Sequence, residues 1–273
     1  MTATDEPGFA NLARLISDGV GIGLDSYKDR CLRRRIAVRM RACGVHTYED
    51  YAEHLARTPD EYERLRDALT INVTRFYRNP EMWEHLRRDA IPALLRRRAG
   101  HVRVWSAGCA SGEEPYTIAM LLADGAAALG RPDWFAGVRI DATDVDRECL
   151  RRTGAGRYGA DAMADLPPEL LDRWCRRDGA EWVVSEVLRR AVTAHVVDLG
   201  RDPPPAPQYD LICCRNVVIY FGRDMQERLF DRFNGALAPG GYLVLGKVET
   251  LVGAARERLR LIEPRERIYQ LPA

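Results

Sequence analysis

The sequence predicts an α/β fold, a mostly parallel sheet domain preceded by a helical N-terminal region, on three observations. The first hundred residues show helical apolar spacing and no convincing strand run. From Val102 onward short apolar runs alternate with helical patterns, as strands joined by crossover helices do. Within residues 102–116, VRVWSAGCASGEEPY, an apolar strand runs into a Gly-containing turn and then a helix start. A chain of 273 residues can bury the core of one large or two modest domains.

Taken in order, residues 27–41 (YKDRCLRRRIAVRMR) hold seven basic side chains and one acid. At about 100° per residue, Leu32, Ile36, Met40 and Cys43 share one side of a helix, and Arg30, Arg34 and Arg41 fall opposite. The pattern fits either a solvated face or a docking surface for an acidic partner, since clustered like charges repel without helping the fold. A helix over 80–98 bridges the two regions. Strands are expected at 102–106, 138–143, 194–198, 209–214 and 241–246, with helices at 112–124 and 224–237. Residues 241–246 and 267–271 could pair as an antiparallel hairpin at one end of the sheet. Arg201–Pro207, RDPPPAP, is too proline-rich for a helix or central strand.

The 102–116 turn suggests a ligand. Ser111 and Glu114 have the spacing of a capping box, and Pro115 falls in the first helical turn, where its missing N–H does no harm. A strand, a tight turn and an exposed helix start form the usual crevice for a nucleotide-like ligand. Phosphate is disfavoured, because no Lys-Ser/Thr follows the glycines and Glu113 and Glu114 occupy its place. A cationic, phosphate-free ligand such as S-adenosylmethionine fits better. Asp144, at the end of the second strand, is placed to meet ribose hydroxyls. Asp198-Leu199 closes the next strand, and Arg215-Asn216 follows the one after. Each acid alone could equally cap or turn the chain.

Composition narrows the class. Basic and acidic residues number 41 and 40, so the chain as a whole is no polyelectrolyte binder. No apolar run approaches the roughly 20 residues of a membrane span, and MTATDEPGF lacks the basic and apolar regions of a signal peptide. Seven cysteines without CxxC spacing argue against a disulfide framework or a zinc site and for reduced thiols in a cytoplasm.

Five segments, NVTRFYR (72–78), WSAGCASGEEPY (105–116), ATDVD (142–146), VVDL (196–199) and CRNVVIYF (214–221), stand in an order and at separations that resemble the CheR-type chemotaxis receptor methyltransferases. The similarity runs from about residue 10 to 271. It implies a small all-α N-terminal domain (1–78), a linker helix (79–100) and a Rossmann-like class I methyltransferase domain (101–273) with a β-subdomain inserted at about 176–193. It implies methyl transfer from S-adenosylmethionine, leaving S-adenosylhomocysteine, to glutamate side chains on the cytoplasmic helices of methyl-accepting chemotaxis receptors. By position, Asn72, Thr74, Arg78, Gly108 and Glu113 would contact the cofactor and Asp144 the ribose. Asp198, Leu199, Arg215 and Asn216 would surround the adenosyl group, Arg78 and Tyr220 would flank the reacting centre, and the helix carrying Arg30, Arg34 and Arg41 would dock the receptor. The expected protein is a cytoplasmic monomer recruited to receptor arrays, with no metal, no nucleic acid and no integral membrane segment.

Two departures from the family pattern stand out. Lys247-Val248 replaces a common His-Ser pair, with altered local packing expected. RRDGAE (176–181) is about three residues shorter than the loop that grips a receptor's C-terminal pentapeptide, which predicts a pentapeptide-independent enzyme. The competing readings are a methyltransferase acting on another protein or on RNA, and a cofactor-binding regulator without turnover.

Overall fold

The computed structural model describes residues 5–70 and 72–273, which divide into two compact units, residues 5–70 with 220–225 and residues 72–219 with 226–273. The first unit is helical: α1 (Asp5–Val20), α2 (Asp29–Ala42), α3 (Tyr48–Arg57) and α4 (Asp60–Leu69). Its core follows the apolar spacing, with Leu12, Ile16, Leu32, Ile36, Tyr51, Leu55 and Leu65 all buried. Thr47 caps α3 by accepting from the Asp50 N–H at 3.1 Å.

The arginines of α2 sort into two sets. Arg39 donates to the fully buried Glu61 at 2.9 and 2.7 Å, and the Tyr51 hydroxyl donates to the same carboxylate at 2.9 Å. Burial acts to raise the pKa of Glu61, but these hydrogen bonds outweigh it and hold the group below the ordinary carboxylate range. Arg33 pairs with Glu6 and Asp29 and lies 3.8 Å over the Phe9 ring. Arg35 donates to the carbonyls of Ala68 and Leu69 and lies over the Tyr220 ring at 5.1 Å. Arg30, Arg34 and Arg41 are exposed, with no ion pair among the described residues.

The second unit begins with α5 (Pro80–His85) and α6 (Ile91–Arg98), separated by a π-helical turn at Leu86–Ala90. The helix expected over 80–98 thus keeps its bounds, with a π-helical turn just before Pro92, which has no N–H to continue the regular ladder. The main sheet has the order β6-β2-β1-β7-β8-β10-β9. Its strands are β1 (Arg103–Ala107), β2 (Arg139–Asp144), β6 (Val192–Val196), β7 (Tyr209–Cys214), β8 (Leu237–Leu245), β9 (Arg260–Glu263) and β10 (Ile268–Gln270). β6, β2, β1, β7 and β8 are parallel, and β10 runs antiparallel between β8 and β9. Helix α7 (Glu113–Ala128) is buried on nearly every side, consistent with its run of Ile118, Ala119, Met120, Leu121 and Leu122. Helices α8 (Arg147–Ala155), α9 (Pro168–Trp174), α10 (Glu186–Ala191), α11 (Arg223–Ala236) and the short α12 (Ala255–Arg258) complete the chain. No described helix is long and apolar enough to cross a membrane.

Three expectations need correction. The small second sheet, β3 (Arg157–Gly159), β4 (Cys175–Asp178) and β5 (Glu181–Val184), opens at Arg157, and residues 186–196 form α10 and β6 instead of belonging to the insert. The hairpin of β4 and β5 lies within the expected insert, whereas the three-residue β3 is too short and exposed to announce itself. β6 ends at Val196, so Asp198 lies in the loop beyond it. The capping box does not form: Gly112, at φ +98°, is the N-cap, which places Ser111 and Glu114 out of register for that exchange.

Candidate functional site

From β1 the chain crosses to β2 and from the neighbouring β7 it crosses to β8, in opposite directions across the sheet, and ligands bind at such switch points outside the C-terminal strand ends. The turn after β1 is built from left-handed residues: Gly108 at φ +78°, Ala110 at +48° and Gly112 at +98°. A Cβ at Gly108 would meet a Val217 methyl at 2.5 Å, so both its φ and its surroundings require glycine. The N–H groups of Gly108 and Cys109 both donate to the Thr143 carbonyl, at 2.8 and 2.9 Å, fastening the turn to the end of β2.

Asp144 secures the same turn. Its carboxylate accepts from the Ala110 N–H at 2.9 Å and the Asp146 N–H at 3.0 Å. Burial nevertheless raises its pKa. Asp146 caps α8 through the N–H groups of Glu148 and Cys149 and accepts from the Asn72 amide at 2.7 Å. Asn72 is thereby tied to the end of β2, and Thr74 stands half-buried two residues on.

Glu113 and Glu114 diverge. Glu114 accepts from the Ser106 hydroxyl at 2.7 Å and faces Arg215 at 3.4 Å. Glu113 is buried, and its oxygens accept from the Ser111 hydroxyl at 2.8 and 3.0 Å, with no arginine or lysine bonded to it among the described residues. Burial pushes the pKa of both above the ordinary range. The backbone N–H of Glu113 and the more distant charge of Arg152 also favour its ionised form, but burial outweighs them, and a buried carboxylate with no bonded cation is costly.

Arg215 is engaged by the fold. It donates to the Arg78 carbonyl and the Asn79 side chain, each at 2.8 Å, and its guanidinium lies 5.2 Å from the Trp83 ring. It thus fixes the loop carrying Arg78, in which Tyr77 (φ +57°) and Asn79 (φ +66°) are both left-handed. Arg78 itself spends one nitrogen on the Val73 carbonyl at 2.7 Å. Asn216, at φ +62°, donates its N–H to Glu249 at 3.0 Å.

Glu249 escaped the sequence reading. It is buried, accepts from the N–H groups of Gly246 (2.6 Å), Asn216 and Ile219 (3.2 Å), and so clamps the loop after β7. An acid just after an apolar strand in LGKVETL was the available signal. Asp198 accepts from the Gly200 N–H at 2.8 Å, and Leu199 beside it is buried. Tyr220 belongs to the helical unit, where its carbonyl accepts from the Lys28 N–H at 2.8 Å.

The domain model of a CheR methyltransferase SAM-binding domain matches residues 72–268, and that of the CheR all-alpha domain matches residues 7–70. The chain belongs to the CheR methyltransferase family. A probable chemotaxis protein methyltransferase of Rhizobium etli is 32% identical over 89% of this chain and 92% of its own. The chemotaxis protein methyltransferase of Salmonella typhimurium is 32% identical over 93% of this chain and 88% of its own. An uncharacterized 104.1 kDa protein of Rhodobacter capsulatus is 35% identical over 89% of this chain, which spans only 25% of that protein. This CheR-family chain is an S-adenosylmethionine-dependent methyltransferase, and the residues around its turn fit that cofactor: Glu113 offers a buried carboxylate with no arginine or lysine bonded to it among the described residues.

Proposed function

We propose that this CheR-family protein methylates glutamate side chains on the cytoplasmic helices of chemotaxis receptors, forming γ-methyl esters during adaptation, without needing a receptor C-terminal pentapeptide. The observation that carries the substrate assignment is α2, which turns three arginines into the fold and leaves Arg30, Arg34 and Arg41 exposed on an arc with no acidic partner among the described residues. Such an arc suits an acidic helical surface, and a glutamate-bearing receptor helix supplies one. Pentapeptide independence draws support from the β4–β5 hairpin, in which only Gly179 and Ala180 lie between the paired Asp178 and Glu181. The protein acts as a cytoplasmic monomer recruited to receptor arrays.

Bound S-adenosylmethionine supplies an electrophilic methyl group on its sulfonium. The acceptor glutamate has an ordinary pKa of about 4.3, is ionised at neutral pH and needs no general base. Its carboxylate oxygen forms the new O–CH₃ bond as the S–CH₃ bond breaks and the electron pair stays on sulfur. The protein's contribution is positioning and exclusion of water. Glu113 holds the cofactor ammonium, Gly108 admits its close approach, and Asp144 meets the ribose. Asn72, Thr74, Asp198, Leu199 and Asn216 complete the cofactor site, with Arg215 bracing the loop of Arg78. Arg78 orients a carboxylate, and Tyr220 aims the acceptor oxygen.

Incubation with methyl-labelled cofactor and a receptor cytoplasmic fragment tests this reading. Base-labile label on glutamate, unaffected by deleting the receptor tail, is expected. Label on RNA or another protein, or cofactor binding without transfer, would contradict it.

A further inference from the structure

A second cleft lies at the opposite, N-terminal ends of β1, β2 and β7. It is open, has a volume of about 880 Å³ and is lined by Arg98, Arg103, Arg131, Trp134 and Arg139, together with Asp133 and Asp210. Small-molecule sites have volumes of about 300–1,000 Å³.

The acids in this cleft are already committed. Asp210 is buried and accepts from Arg97 at 3.2 Å, Arg98 at 2.5 Å and the Arg103 backbone N–H at 3.0 Å. Asp133 is held by Arg131 through two bonds of 3.1 and 2.8 Å. That leaves Arg103 and Arg139, which are exposed and have no carboxylate partner among the described residues. They are direct register partners on the adjacent parallel strands β1 and β2. Like charges placed opposite each other destabilise a sheet, so the fold gains nothing from the pair. Each guanidinium reaches only backbone carbonyls, Pro207 at 3.5 Å for Arg103, and Ala136 and Val138 at 2.9 and 2.7 Å for Arg139. Most of their five N–H donors stay open to a planar or tetrahedral oxyanion. Beside them Arg131 lies 4.7 Å over the Trp134 ring, a flat cationic and aromatic wall suited to stacking a base.

We propose that this cleft binds a phosphorylated small molecule of the nucleotide class, its phosphates between Arg103 and Arg139 and its base against the Arg131–Trp134 wall. The ligand differs from the cofactor in the feature that matters, since S-adenosylmethionine carries no phosphate. The two sites occupy opposite ends of the same strands and are filled independently.

Calorimetry on the full chain at low ionic strength tests this with ATP, tripolyphosphate and a single-stranded RNA oligonucleotide, each in saturating S-adenosylhomocysteine. ATP should bind one per chain and more tightly than tripolyphosphate. Its affinity should fall about tenfold or more in the Arg103→Gln, Arg139→Gln double variant, which removes two charge-assisted contacts. The same variant should bind S-adenosylhomocysteine as the parent does, which checks that it folds. Four results would overturn the proposal: no ATP binding at millimolar concentration, ATP binding only when S-adenosylhomocysteine is absent, equal ATP affinity in the double variant, or binding of the RNA alone.

Discussion

Glu113 and Glu114 are neighbours in sequence, yet Glu114 meets Ser106 and the Arg215 guanidinium, while Glu113 meets the Ser111 hydroxyl and has no bonded arginine or lysine among the described residues. That asymmetry at the single-residue scale separates a carboxylate paired within the fold from the one the proposed mechanism assigns to the cofactor. The same distinction applies to the arginines. Arg215 is consumed by Arg78, Asn79 and Glu114, so its loss would move the loop, whereas Arg78 keeps most of its donors. Arg78→Ala is therefore expected to weaken S-adenosylhomocysteine binding about tenfold, the worth of one hydrogen bond to a charged group, as read by calorimetry. Tyr220→Phe should leave that affinity unchanged and lower the turnover of a receptor fragment. Unaltered turnover would remove Tyr220 from the reaction. The sequence exposed Glu113 and Asp144 because each follows an apolar strand. It could not show that Arg215 is sequestered, since that depends on a loop far away in the chain.

Among the elements, α2 was legible from its periodicity alone: the apolar stripe is buried, and the arc through Arg30, Arg34 and Arg41 is exposed. What spacing could not reveal is that Arg33, Arg35 and Arg39 have inward partners. Two different outcomes follow from one helix. Arg39→Ala strands the fully buried Glu61 and should cost about 3–5 kcal/mol in denaturant unfolding. The double reversal Arg34→Glu, Arg41→Glu should leave stability and S-adenosylhomocysteine affinity intact while sharply slowing receptor methylation, measured by label transfer. The small sheet was hidden for the opposite reason. Arg157–Gly159 and Cys175–Asp178 are short, largely exposed strands that flank β5, with ion pairs from Arg157 to Asp178 and Glu181 across the sheet, and hydrophobic pattern reports neither. Strand β7 was visible because both its faces are buried and it reads as a continuous apolar run, whereas β6 is largely exposed and starts two residues before its expected position.

At the scale of the whole molecule, net charge is only +1, so attraction to an acidic partner is local to α2 and decays within a Debye length of about 8 Å at physiological ionic strength. Raising salt should slow receptor methylation and leave cofactor affinity nearly constant. The crevice also imposes a pH signature, because burial raises the pKa of Glu113, Glu114, Asp144 and Glu249 together. Between the ordinary carboxylate value and the raised folded values, the native state binds more protons than the unfolded chain. These groups therefore make the unliganded protein more stable as pH falls through that window from neutrality. Glu61, with its lowered pKa, acts in the opposite sense at lower pH. On the proposed assignment cofactor binding has its own dependence, since only an ionised Glu113 would attract the ammonium group. The most direct measurement is S-adenosylhomocysteine affinity against pH for the parent and Glu113→Gln. The parent should lose affinity as pH drops through the raised pKa of Glu113, while the variant binds about tenfold or more weakly at neutral pH, with that pH dependence removed. Equal affinity at neutral pH, or an unchanged pH profile in the variant, would contradict the assignment of Glu113 as the cofactor's counter-charge.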